Sequence, residues 1–116
     1  MITIANMRKY IEKNYPSIGP VKRIRLLNHN NINSTNYLIY SDKSQFVLRN
    51  FTDGSNSKKI ETMCEILNFC VKKKARVSEP IKNRNNAFVD RKNRIYLTKY
   101  YKGHLYNGSL DRKSVV

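Results

Sequence analysis

Gln45-Phe46-Val47-Leu48-Arg49-Asn50-Phe51 reads as a β-strand, and Ser57-Lys58-Lys59-Ile60-Glu61-Thr62-Met63-Cys64-Glu65-Ile66-Leu67-Asn68-Phe69-Cys70-Val71 behind it reads as a helix. Residues 52–56 join them through a loop that contains Gly54. In the second piece Ile60, Met63, Cys64, Leu67, Cys70 and Val71 recur at spacings of three and four, which gathers them on one side of a helix. Asn56 or Ser57 caps its start, and Lys73 or Lys74 suits the negative end of its dipole. Pro80 prevents its return. Along the strand side chains alternate, so Val47 and Arg49 share a face.

The same reading extends outward in both directions. Upstream, Ile4, Met7, Ile11 and Tyr15 have helical spacing, Thr3 caps the helix, and residues 16–20 with Gly19 end it. Residues 21–27 form a first strand, residues 28–35 a polar Asn-rich turn, and residues 36–40 a second strand. Three consecutive strands suggest an antiparallel meander. Downstream, residues 87–89 and 95–101 read as two more strands joined by a turn at 90–93, and Gly103 breaks the pattern. The expected fold is α+β: a five-stranded antiparallel sheet, a helix inserted after strand 3, and an N-terminal helix.

The chain has 116 residues, with 23 basic against 8 acidic side chains and a net charge of +15. Such a balance points toward a polyanion, an anionic membrane or an anionic ligand. The basic residues are spread through the whole chain, however, and Lys72-Lys73-Lys74 is the densest run, so the distribution weakens the reading as a dedicated nucleic-acid binder. Cys64 and Cys70 have no metal-ligand spacing and read as small hydrophobes rather than a disulfide; His29 and His104 stand apart from any ligand cluster. No apolar stretch reaches the length of about 20 residues that spans a bilayer, and the N-terminus carries no signal core. The expectation is a cytoplasmic protein with no membrane partner.

Five short segments, in order, resemble the aminoglycoside/choline/homoserine kinase-type phosphotransferase family, whose fold is protein-kinase-like. Tyr15 with Gly19 resembles the Tyr-x-x-Gly before that family's first strand. Asn31-Ile32-Asn33-Ser34-Thr35-Asn36-Tyr37 resembles the Gly-Ile-Glu-Asn-Thr-Asn-Tyr loop of its homoserine kinases. Phe46-Val47-Leu48-Arg49 resembles its third strand, Arg76-Val77-Ser78-Glu79-Pro80-Ile81 its linker, and Tyr100-Tyr101-Lys102-Gly103 its hinge. The resemblance covers nearly the whole chain and implies an N-terminal nucleotide-binding lobe at 1–103. Residues 104–116 then start a connection to a C-terminal lobe. Asn31 stands where the family has Gly, and Asn33-Ser34 replaces Glu-Asn.

The resemblance also implies a site. Val47 roofs the adenine of ATP and Arg49 holds its phosphates with a planar guanidinium fork. Glu61 pairs with Arg49, with Glu65 as the alternative. Asn33, Ser34 and Thr35 cover the phosphates with backbone N–H groups and hydroxyls. Thr98 lies at the back of the pocket, and the Lys99 carbonyl and Tyr101 N–H hold the adenine. The implied reaction is transfer of a phosphoryl group to a hydroxyl on a small molecule such as homoserine, choline or an aminoglycoside. The His-x-Asp-x-x-x-x-Asn segment and the later Asp, which would supply the base and the Mg ligands, have no counterpart here, and Asp90 and Asp111 lack that context. The expected enzyme therefore needs a C-terminal lobe or partner chain for activity. Two other readings stay open: a basic nucleic-acid-binding module, and a non-catalytic remnant that needs a partner.

Overall fold

The computed structural model describes residues 3–28, 34–51 and 57–100. Helix α1 spans Ile4–Asn14, and the Thr3 side chain accepts a hydrogen bond from the Asn6 N–H at its start. Met7 and Ile11 are its buried residues. Pro16 cannot continue the helix and instead opens a single 3-10 turn, Pro16–Ile18. Gly19 follows at φ +81°, a backbone region that L side chains rarely adopt. Strands β1 (Val21–Asn28), β2 (Ser34–Ser41) and β3 (Gln45–Phe51) then build an antiparallel meander, as the alternation implies. The β2–β3 turn is tied by Ser41, whose Oγ accepts from the N–H groups of Lys43 and Ser44.

Helix α2 covers Ser57–Lys72. Its end is a left-handed stop at Lys74 (φ 66°), where the Ala75 N–H bonds back to the Cys70 carbonyl at 2.9 Å. Strands β4 (Pro80–Ile81), β5 (Val89–Asp90) and β6 (Ile95–Lys99) complete the sheet. The sheet therefore has six strands among the described residues, not five, with β6 between β3 on one side and β4 and β5 on the other. The extra strand is Pro80–Ile81, which the linker reading hid. It pairs with Thr98 and Leu97, while β5 pairs with Tyr96 and Ile95. Because β3 occupies one edge of β6 throughout, β4 and β5 lie end to end along the other edge. Residues 82–88 bulge out between them. Buried Asn83 closes that bulge, with its Oδ1 accepting from the N–H groups of Asn85 (2.9 Å) and Ala87 (3.2 Å).

The two helices sit on opposite faces. α1 packs on the face that carries Ile39, Phe46, Leu48, Ile95 and Leu97, and with Tyr15, Ile18 and Val21 they form the main core. Backbone bonds reinforce it: the Arg8 guanidinium donates to the Val21 and Lys22 carbonyls, and the Val21 N–H donates to Glu12 Oε2 at 2.8 Å. α2 packs on the other face through a smaller cluster of Cys64 with Phe51, Phe88 and Val89, flanked by Ile60 and Tyr96. Met63, expected on the packed side of α2, is exposed together with Ile66 and Phe69. Both cysteines are free, and burial pushes the Cys64 thiol up to about 11. No helix among the described residues is long and apolar enough to cross a membrane.

Candidate functional site

The face shared by Val47 and Arg49 is the one α2 occupies, because Phe51 on the same face packs against Cys64. Unbroken registers of β2 and β6 against β3 arrange that face in rows. Leu38, Val47 and Thr98 are direct neighbours across three strands, and Pro80 extends the row on β4. Asn36, Arg49 and Tyr96 form the next row, extended by Val89 on β5. The two rows are about 7 Å apart, twice the rise per residue.

Their environments differ. Leu38, Val47 and Thr98 are each 3% exposed. The Thr98 hydroxyl is buried with no hydrogen-bond partner, an unusual state for a group that is costly to desolvate. Asn36, Arg49 and Tyr96 are half-buried. Burial pushes the Tyr96 phenol up, while the Arg49 guanidinium pulls it the other way, so the cation acts on the ring beside it. The face thus pairs a buried row, mostly apolar, with a polar row centred on one cation.

Several expected residues lie elsewhere. Glu61 does not pair with Arg49. Its carboxylate grips Arg91 in the β5–β6 turn, with Nε to Oε2 at 2.7 Å and Nη2 to Oε1 at 2.6 Å. Those hydrogen bonds hold its carboxyl below the usual carboxylate range. The reason is geometric: the turn carries Arg91 to the N-terminal half of α2. Glu65 is exposed and borders a recess of about 410 Å³ between α2 and the 82–88 bulge, which Asn68, Lys82 and Phe88 also line. Among the described residues, no carboxylate forms an ion pair with Arg49.

Thr35 is not in a phosphate-covering loop. It lies within β2 opposite Asn50, on the α1 face, so its hydroxyl points away from Arg49. Ser34 begins β2, and Asn33 lies outside the described residues. Lys99 ends β6 opposite Phe46, on the α1 face, and its N–H donates to the Glu79 carbonyl at 2.8 Å. Its own carbonyl therefore points to the same outer edge of the sheet. Tyr101 lies outside the described residues, and with it the second expected hinge contact. Among the described residues no group of three or more His, Cys, Asp or Glu could hold a metal ion.

Sequence reading missed Leu38, Asn36 and Tyr96 as members of this face. Alternation along each strand was legible, but which residue stands opposite Arg49 depends on register, and register depends on turn lengths. A further link was not legible at all. Asp90, the last residue of β5, and Arg91, the first of the turn after it, reach opposite faces: Asp90 Oδ2 accepts from Tyr10 Oη of α1 at 2.6 Å, while Arg91 holds α2. Burial alone would raise the Asp90 carboxyl, but bonds from Tyr10, the Asn93 side chain and the Asn93 and Lys92 N–H groups outweigh it and hold it below the usual range. No family model, curated protein or solved structure matches the chain, so the reading of this face rests on its own geometry.

Proposed function

We propose that the α2 side of the sheet is the nucleotide-binding half of an ATP-dependent kinase that phosphorylates a hydroxyl on a small molecule. The observation that carries the reading is the placement of Val47 and Arg49 in successive rows of one face, with the inserted helix α2 packed on that same face. The strand order supports it too. Counting β4 and β5 as one interrupted edge, the lateral order is first, second, third, last, then the strand before the last, with the helix between the third strand and that edge. A helix inserted after the third strand of an antiparallel sheet is the plan that the resemblance implies for a protein-kinase-like N-lobe.

In this reading the nucleotide supplies the phosphoryl group. The protein's residues bind and orient it. The apolar side chains of Leu38 and Val47 favour a flat ring, and the unsatisfied Thr98 hydroxyl offers a hydrogen bond to it. Arg49 provides a bidentate donor for phosphate oxygens, with Asn36 and Tyr96 on either side to position them. Glu61 is engaged with Arg91, so the neighbours of Arg49 in the sheet, rather than a helix carboxylate, set its position. The Mg ligands and the base belong to a C-terminal lobe or partner chain.

Titration of Mg-ATP into the protein, followed by calorimetry, tests this directly. Arg49→Ala should weaken binding at least tenfold, whereas Ser17→Ala, on the exposed 3-10 turn, should leave it unchanged. Equal affinity of Arg49→Ala and wild type would remove the site assignment. Exposed Arg23 and Arg25 on β1, with the net charge of +15, favour nucleic acid as a second reading. That reading requires affinity for duplex DNA that falls steeply with salt.

A further inference from the structure

Three of the large exposed apolar side chains lie on α2: Met63 (39% exposed), Ile66 (58%) and Phe69 (60%). Their spacing of three places them along one line of the helix surface, about 9 Å long at the helical rise. Half-buried Cys70, one turn on from Ile66, lies beside the line. This stripe is separate from the packed side of the helix, where Cys64 and Ile60 meet the sheet. It is also separate from the nucleotide face and from the recess beside Glu65. A row of exposed large hydrophobics on one helix marks a contact surface more often than a solvated one.

The charges around the stripe say what it contacts. Lys58 and Lys59 stand at its N-terminal end and Lys72 and Lys73 at its C-terminal end, all exposed. The Lys73 ammonium lies over the Phe69 ring, 5.5 Å from its centre. Glu65 is the carboxylate that borders the stripe. The lysine pairs are about 20 Å apart along the axis, roughly the length of four helical turns. A second copy of this chain would bring a net charge of +15 against +15.

We infer that the Met63–Ile66–Phe69 stripe of α2 docks an acidic amphipathic helix of a partner protein. The partner's apolar face lies on the stripe, and its carboxylates meet the lysines at the two ends. The mode is helix against helix, with apolar anchors giving affinity and charge setting orientation and partner choice. It does not depend on nucleotide binding.

The test uses a fluorescein-labelled 20-residue helical peptide with leucines at every third and fourth position and glutamates elsewhere. A second peptide carries lysines in place of the glutamates. Fluorescence polarisation at 150 mM salt should show the acidic peptide binding at least tenfold more tightly than the basic one. Ile66→Ser/Phe69→Ser removes the apolar stripe without changing charge, and should weaken the acidic peptide at least tenfold. Lys59→Gln/Lys73→Gln should weaken it several-fold. Asn6→Glu/Ser17→Glu, on exposed positions of the α1 side, controls for the general pull of a basic protein and should change little. Circular dichroism and thermal unfolding confirm that each variant folds.

Three results overturn the proposal. One is equal binding of the acidic peptide by Ile66→Ser/Phe69→Ser and wild type. Another is a dimer in sedimentation equilibrium that Ile66→Ser/Phe69→Ser dissolves, which makes the stripe a self-contact. The third is loss of binding to phosphatidylserine vesicles in that variant with no peptide binding by wild type, which makes it a membrane contact.

Discussion

The two faces of the sheet are built from the same strands and do different work. On the α1 face, Met7, Ile11 and Tyr15 close over Ile39, Leu48, Ile95 and Leu97, and all seven are at most 1% exposed. Hydrogen bonds donated by Arg8 and Tyr10, and accepted by Glu12 Oε2 and the Asn14 carbonyl, fasten the helix to the strands and loops around it. On the α2 face the apolar cluster is small, an arginine stands mid-strand, and the helix keeps apolar side chains in solvent; a buried hydroxyl without a partner occurs on both sides, Thr98 here and Tyr15 on the other. A protein under selection for stability alone would fill such positions with packed apolar groups. The contrast places the larger packed core on the α1 side and leaves the α2 side, where we propose binding, more loosely filled.

Four substitutions break or sharpen that contrast. Leu48→Ala, in the α1-side core, should cost about 2–5 kcal/mol, the range for large-to-small core changes. Urea unfolding measures it, and a cost below about 1 kcal/mol would mean that the stability does not reside there. Tyr10→Phe removes the donor to Asp90 and should cost about 1–2 kcal/mol at pH 7. Its signature is pH-dependent. The folded Asp90 carboxyl lies below its unfolded value of about 3.9. The pair therefore contributes fully above about pH 5, and the contribution disappears as pH falls through the folded value. The stability difference between wild type and Tyr10→Phe should shrink on acidification, and a constant difference from pH 7 to 3 would contradict the pairing.

The two remaining effects are smaller and lie on the α2 side. Thr98→Val exchanges an unsatisfied buried hydroxyl for a methyl group of similar shape and should be neutral or stabilising, by up to about 1 kcal/mol. A clear destabilisation in urea would show that the hydroxyl has a partner. Ile66→Ala, at a largely exposed position, should stay within about 0.5 kcal/mol of wild type. A loss as large as that of Leu48→Ala would erase the contrast between the faces.

Local features were the legible part of the fold. Thr3 as cap, the stop at Pro16 with Gly19 in the loop behind it, and the alternation of residues 45–51 each follow from the chemistry of one residue and its neighbours. The strand Pro80–Ile81 was not legible because two residues carry no periodicity, and proline at a sheet edge is tolerated only in a pairing that sequence does not announce. At the site, Val47 and Arg49 share a face as alternation requires, and the register sets Thr98 beside Val47. Thr35 does not share that face, since a side chain changes face with each residue and Thr35 lies within β2 on the α1 side. Glu61 was assigned a partner by analogy, and Arg91 is nearer.

By itself the sequence determined the α+β class, the meander, the inserted amphipathic helix and the cation at mid-strand, because period and propensity act over a few residues. Only the tertiary structure decided what stands beside Arg49, which carboxylate meets which guanidinium, how one turn ties α1 and α2 through Asp90 and Arg91, and which apolar residues of α2 remain in water. Those outcomes depend on register and on contacts between residues as far apart in the chain as Tyr10 and Asp90, where geometry, rather than local preference, selects the partner.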